Sequence, residues 1–177
     1  MSPADSPTAH RHLVLGGACS GKSTFAEGVA LELGDGQATY IATAAGLDDE
    51  MRERIAHHQA QRDEAAWTVV EEETGLAGAI NHAAPGSTVL IDCLTLWLSN
   101  CLHAQVWPDE RRRFLDVLAD TEHNVVLVSN EVGMGVVPLG ELSREFVDES
   151  GRLHQDVAAA CDEVTIVIAG LPQRLKP

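Results

Sequence analysis

Lysine is almost missing from this chain of 177 residues. Only Lys22 and Lys176 occur, and Lys plus Arg number 12 against 27 Asp plus Glu, a formal charge of −15. That balance excludes a general nucleic-acid binder, which needs a basic face. Any anionic ligand must meet positive charge gathered locally. Aromatic residues are also few, with three Phe, three Trp and one Tyr, and they form no evident stacking platform. The four cysteines, Cys19, Cys93, Cys101 and Cys161, show no C-x-x-C spacing, which excludes a common zinc-binding pattern. Reduced thiols in a cytoplasmic protein are expected. The most apolar stretch, residues 89–102, contains Asp92 and Asn100 and is shorter than the roughly 20 residues of a membrane span. Residues 1–11, MSPADSPTAHR, lack the apolar segment of a signal peptide and are expected to be a disordered tail. No internal repeat or linker divides the remainder, so residues 12–177 are expected to form one domain.

What the chain does contain is a phosphate-binding pattern in a fitting context. Residues 16–23 read GGACSGKS and meet G-x-x-x-x-G-K-[ST] through Gly16, Gly21, Lys22 and Ser23. An apolar strand, Leu13-Val14-Leu15, precedes it, and a helix-compatible stretch, 22–33, follows. Glycines let the backbone turn tightly and aim its N–H groups at phosphate oxygens. The following helix adds the partial positive charge of its N-terminus. Lys22 is expected on the terminal phosphates and the Ser23 hydroxyl on Mg²⁺.

Apolar runs alternate with amphipathic stretches. Strands are predicted at 13–16, 38–43, 67–70, 87–92, 124–129 and 163–169, several of them continuously apolar, as strands buried on both faces are. Helices are predicted at 22–33, 48–63, 74–82, 94–104, 109–120 and 143–160. The alternation implies an α/β domain of three layers with a mostly parallel central sheet. Ligands of such sheets bind beyond the carboxyl ends of the strands. Gly16-Gly17, Thr43, Asp92 and Ser129-Asn130-Glu131 end strands and are expected around one crevice.

Asp92 closes the strand Val89-Leu90-Ile91, where an acid commonly holds Mg²⁺ in a phosphate-loop site; the alternative is a cap for the next helix. In the helix LDDEMRERIAHHQAQR, Leu47, Met51 and Ile55 form an apolar spine that His58 continues. His57 lies on another face, available to a ligand as general base or nucleophile. Asn130 and Glu131 open a loop with two glycines and a proline, a candidate wall of an acceptor pocket. Arg144 and Arg152 are expected to pair with acids of their own helix, Glu141, Glu145, Asp148 and Glu149. No N-K-x-D guanine-reading motif occurs, which argues against a GTPase switch. An ordinary small-molecule kinase, needing only Lys22, Ser23 and Asp92, is the competing reading.

In order, GGACSGKS, YIATA, LDDEMRERIAHHQAQR, VLIDCLTLWLSN and VSNEVGMGVVP match one family. From about Leu13 to about Leu171 the chain resembles the bifunctional adenosylcobinamide kinase/adenosylcobinamide-phosphate guanylyltransferases of cobalamin biosynthesis. The resemblance implies a RecA-like P-loop NTPase fold, a homotrimer with its site near a subunit boundary, and a corrinoid substrate. It implies Mg²⁺, with ATP and GTP as substrates: phosphorylation of adenosylcobinamide by a nucleoside triphosphate, then transfer of GMP from GTP through a guanylylated histidine, giving adenosylcobinamide-GDP. By motif position that histidine is His57. The implied nucleotide contacts are Gly16, Gly17, Ala18, Cys19, Ser20, Gly21, Lys22 and Ser23, then Thr43, Ala44 and Ala45, then His58, Gln59, Ala60 and Gln61, and finally Glu71 and Asp92. The family loop usually reads GGARSGKS, so Cys19 here replaces a guanidinium and its charge-assisted contact.

Overall fold

The computed structural model describes residues 9–44 and 66–177. Seven strands form one sheet in the order β3-β2-β4-β5-β1-β6-β7. They are β1 (Arg11–Gly16), β2 (Ala38–Ala42), β3 (Trp67–Glu71), β4 (Thr88–Asp92), β5 (Asn124–Asn130), β6 (Glu163–Ile168) and β7 (Leu171–Lys176). Every pairing is parallel except that of β6 with β7. Five helices are described: α1 (Lys22–Leu33), α2 (Leu76–His82), α3 (Leu94–His103), α4 (Trp107–Asp120) and α5 (Glu141–Ala160). The expected helix at 48–63 lies outside the described residues.

Alternation along the buried strands sorts the core into two halves. On one face Val14, Leu90, Val126 and Val128 pack with Ala26 and Ala30 of α1. On the other, Leu13, Leu15, Val89, Ile91, Val125 and Leu127 pack beneath α2, α3, α4 and α5. There Trp97 of α3 meets Phe114 and Trp107 of α4 at ring-centroid distances of 4.9 and 5.2 Å. This is the α/β architecture expected, with helices on both faces of a mostly parallel sheet.

Among the departures from expectation, three bear on how the elements are held together. The sheet begins at Arg11, inside the segment expected as tail. The Arg11 guanidinium donates to the carbonyls of Leu118, Ala119 and Thr121, at 2.6, 2.9 and 3.2 Å. These are the carbonyls a helix C-terminus leaves unpaired, so Arg11 ties β1 to the end of α4. Helix α4 starts at Trp107 rather than 109, because Pro108 in the first turn presets a helical φ. Strand β7 was not anticipated. Its residues LPQRLK are polar, contain a proline and are largely exposed, and only pairing with β6 makes them a strand.

Candidate active site

The site begins with the missing side chain of Gly16. A Cβ there would stand 2.5 Å from Ser20 Oγ and 2.7 Å from the Val167 carbonyl oxygen, inside contact distance of a neighbouring strand. Only glycine lets β1 turn at that point with β6 alongside. The chain then folds back, with the Ser20 amide 3.3 Å from the Gly17 carbonyl, and enters α1 through Gly21 at φ 92°. That left-handed angle is one a side chain strains to adopt. Gly17, Ala18 and Cys19 are exposed around the rim, and the buried Ser20 hydroxyl has no hydrogen-bond partner among the described residues. Lys22 is buried against the loop, its Nζ donating to the Gly17 carbonyl at 3.2 Å. Ser23 follows in the first turn of α1, half-buried.

Two further elements hold the loop from behind. The Gly170 amide donates to the Ser20 carbonyl at 2.8 Å, and the Glu131 amide to the Gly16 carbonyl at 3.0 Å. Gly170 belongs to the two-residue turn between β6 and β7. Its central residues Ala169 and Gly170 have φ 52° and 77°, the paired positive angles of a type I′ hairpin. The hairpin that the sequence reading missed therefore buttresses the phosphate loop. The Ala-Gly pair after an apolar run was the available signal.

Strand order carries the other residues to the same edge. Asp92 ends β4, Ala42 of β2 lies level with both Asp92 and Glu71 of β3, and Asn130 of β5 lies level with Gly16. The four expected strand ends thus lie along one carboxyl edge, with β5 between β4 and β1. Tyr40 donates its hydroxyl to Asp92 Oδ2 at 3.0 Å. The cap of α3 is Cys93, with no side-chain cap bond, so Asp92 is not used as a cap.

Thr43 is fully buried and bound on all sides. Its hydroxyl donates to the Cys93 carbonyl and accepts from the Cys93 amide, each at 2.8 Å. Its own amide donates to the Asp92 carbonyl, and its carbonyl accepts from Asn100 Nδ2 at 2.8 Å. Thr43 clamps the end of β2 to that of β4 and so positions Asp92. Ala44 follows half-buried, and Glu71 is exposed at the end of β3. Ala45, His57, His58, Gln59, Ala60 and Gln61 lie outside the described residues.

Beyond β5, Asn130 Nδ2 donates to Thr95 Oγ1 at 3.0 Å. Ser129 Oγ lies 2.7 Å from His154 Nε2, and His154 Nδ1 lies 3.6 Å from Glu131 Oε2. Burial holds the His154 imidazole below its ordinary pKa, and the neighbouring Glu131 carboxylate opposes that shift. Arg144 does not pair with the acids of its helix as expected. It donates to the carbonyls of Pro138 and Leu139, at 3.2 and 2.5 Å, because the loop before α5 presents them unpaired. Arg152 does pair with Glu149. A groove of about 510 Å³ between α4 and α5 is lined by none of the loop residues.

Residues 12–175 match the family described as cobinamide kinase / cobinamide phosphate guanyltransferase. The chain belongs to that family. Among its relatives is the bifunctional adenosylcobalamin biosynthesis protein CobP of Pseudomonas aeruginosa, 50% identical over 170 residues, covering 94% of this chain and 97% of that protein. The CobU proteins of Salmonella typhimurium and Escherichia coli are each 40% identical, covering 93% of this chain and 98% of theirs. The two activities named for the family, cobinamide kinase and cobinamide-phosphate guanylyltransferase, are those of this enzyme.

Solved structures bear on the fold alone. A KaiC-like protein of Pyrococcus horikoshii superposes with a TM-score of 0.51 at 16% identity, covering 90% of this chain and 71% of that one. The RadB recombinase gives 0.51 at 16% identity, covering 89% and 73%. The likeness agrees with the expected α/β fold, a mostly parallel seven-stranded sheet with helices on both faces. No helix among the described residues is long and apolar enough to cross a membrane.

Gly16→Ala is expected to abolish nucleotide binding, read by isothermal titration, since its Cβ drives β6 or Ser20 away from the loop; unchanged affinity contradicts this geometry. A second expectation concerns thiols. Burial pushes Cys101 and Cys161 up to about 12 and raises Cys93, while Cys19 is exposed on the loop rim. Iodoacetamide on the native enzyme is expected to label Cys19 alone, with nucleotide protecting it, and equal labelling of a buried thiol in the peptide map contradicts that.

Proposed function

We propose that one phosphate loop serves both reactions of the family and that His57 holds the guanylyl group between them. The observation that supports this reading most is the loop itself: a backbone cradle with Lys22 lying across it and Asp92 on the same sheet edge. In the kinase step the loop amides and Lys22 hold a nucleoside triphosphate, ATP or GTP. They stabilise the negative charge on the transferring phosphoryl group as it passes to the adenosylcobinamide hydroxyl. The donors near the loop suit Mg²⁺, which takes hard oxygen ligands together with phosphates and water. Ser23 and Asp92 would hold it, Tyr40 fixing one Asp92 oxygen, and the ion would neutralise phosphate charge.

In the guanylyl step a neutral His57 nitrogen attacks the α-phosphorus of GTP. The P–N bond forms as the bond to the bridging oxygen breaks, and pyrophosphate leaves. An oxygen of adenosylcobinamide-phosphate then attacks the same phosphorus, the P–N bond breaks, and the imidazole is regenerated. If the helix expected from the sequence forms, His57 falls on a face away from the spine Leu47, Met51 and Ile55 that His58 extends, which suits the role. Thr43 to Ala45, His58 to Gln61 and Glu71 complete the nucleotide contacts, with the Thr43 side chain acting by holding Asp92. The enzyme is cytoplasmic in this reading and works on a corrinoid.

A homotrimer also belongs to this reading. Met134, Val136, Val137, Leu139 and Leu142 are 73–97% exposed in one segment after β5, an apolar surface of the kind that marks a subunit contact.

With GTP labelled at the α-phosphate, the wild-type protein is expected to take up acid-labile, base-stable label. His57→Ala is expected to lose both label and guanylyl transfer while keeping kinase activity. Normal GMP transfer by that variant overturns the nucleophile assignment. Light scattering is expected to give three times the 18.9 kDa chain mass, reduced in Leu139→Asp; a wild-type monomer contradicts the trimer.

A further inference from the structure

At the opposite edge of the sheet from the phosphate loop, three side chains converge that the reaction does not use. His10 precedes β1, His12 lies within it, and Glu163 opens β6 directly opposite His12. Positions two apart on an extended chain share a face, so both imidazoles turn towards Glu163 while Arg11 reaches α4 on the other side. His10 Nε2 lies 3.7 Å from Glu163 Oε2, and His12 Nε2 lies 3.7 Å from Glu163 Oε1. One ligand atom from each of the three falls within 4.8 Å of the others.

We propose that His10, His12 and Glu163 form a binding site for a divalent transition-metal ion of the zinc type. Zinc bonds of about 2.0–2.2 Å to nitrogen and oxygen place neighbouring tetrahedral ligands roughly 3.3–3.5 Å apart. The two 3.7 Å separations to Glu163 need little closure, and the whole set, within 4.8 Å, closes by side-chain rotation. Two imidazoles and a carboxylate favour zinc, cobalt(II) or nickel(II) over Mg²⁺ or Ca²⁺, which prefer all-oxygen sites.

The cluster is held in place before any ion arrives. The His10 amide donates to Asn124 Oδ1 at 2.9 Å, and its carbonyl accepts from the Val125 amide at 2.8 Å. Thr165 Oγ1 holds His12 Nε2 at 2.9 Å in the metal-free protein, a hydrogen bond that an ion at that nitrogen would replace. Arg174 of β7 pairs with Glu163 Oε1 at 2.8 Å and neutralises it in the metal-free protein. An ion would share or displace that guanidinium, and would join the start of β1 to the start of β6. His10 is 35% exposed, which leaves a path from solvent and room for water as a further ligand.

The test is a Co²⁺ titration of the full chain without nucleotide, followed by visible d–d absorption. One equivalent is expected to bind with the strong bands of four- or five-coordinate cobalt, and Zn²⁺ is expected to displace it. His10→Ala and Glu163→Gln are each expected to weaken binding at least about tenfold, whereas His57→Ala and Asp92→Asn leave it unchanged. Zn²⁺ is expected to raise the Tm of the wild-type protein by about 2–5 °C and not that of His10→Ala. The His10 side chain is partly exposed and its main-chain bonds survive the substitution, so circular dichroism is expected to show this variant folded. Glu163→Gln provides an independent check. Absence of stoichiometric binding, or binding that persists in His10→Ala, or loss only in His57→Ala or Asp92→Asn, overturns the proposal.

Discussion

Eight residues have to leave a buried strand, turn their amides inward around an anion and start a helix. Whether they can do so depends on what stands next to them. Here the neighbour is the end of β6, whose Val167 carbonyl occupies the space a side chain at position 16 would need. The loop is closed from behind by Gly170 and by Glu131, each donating a backbone amide to a loop carbonyl. The cradle is therefore a property of three strands and a hairpin. Two of its carbonyls, those of Gly16 and Ser20, are satisfied from behind, by the Glu131 amide just past β5 and by the β6–β7 turn.

The acid that accompanies the loop is placed by a second set of bonds. Thr43, Cys93 and Asn100 join the ends of β2, β4 and α3 through four hydrogen bonds, and Asn130 reaches Thr95 from β5. Each such bond contributes only about 0.5–1.5 kcal/mol net, but leaving a buried partner unpaired costs about 1–3 kcal/mol. The arrangement thus discriminates strongly against alternatives in which β2 and β4 end at other levels. That fixes Asp92 relative to the loop, although β5 separates the strands that bear them.

How much of this was legible depended on whether a residue's role is written locally. Continuous apolar runs such as Val125–Val128 and Val89–Ile91 read as strands buried on both faces, and they are. The phosphate loop was legible because its glycines answer a backbone requirement confined to the loop. Strand β7 was not, since Leu171-Pro172-Gln173-Arg174-Leu175-Lys176 has neither alternation nor β-branched residues and depends on its partner. Arg11 read as tail because its purpose, capping α4, appears only when residues a hundred positions apart meet. Thr43 is expected among the nucleotide contacts, and its side chain also clamps two strand ends, a role that residue type does not encode. His57 was singled out by helical phase and family resemblance, neither of which supplies a distance.

The proposal that one cradle serves both reactions requires the His57 imidazole and the loop to meet at the same nucleotide. A structure of the enzyme with Mg²⁺ and a non-hydrolysable GTP analogue measures this directly. The account predicts the triphosphate inside residues 16–23 and a His57 ring nitrogen, from the same chain or a neighbour, within about 3–3.5 Å of the α-phosphorus. A triphosphate bound away from the loop, or seated in it with no His57 ring reaching the α-phosphate, contradicts it.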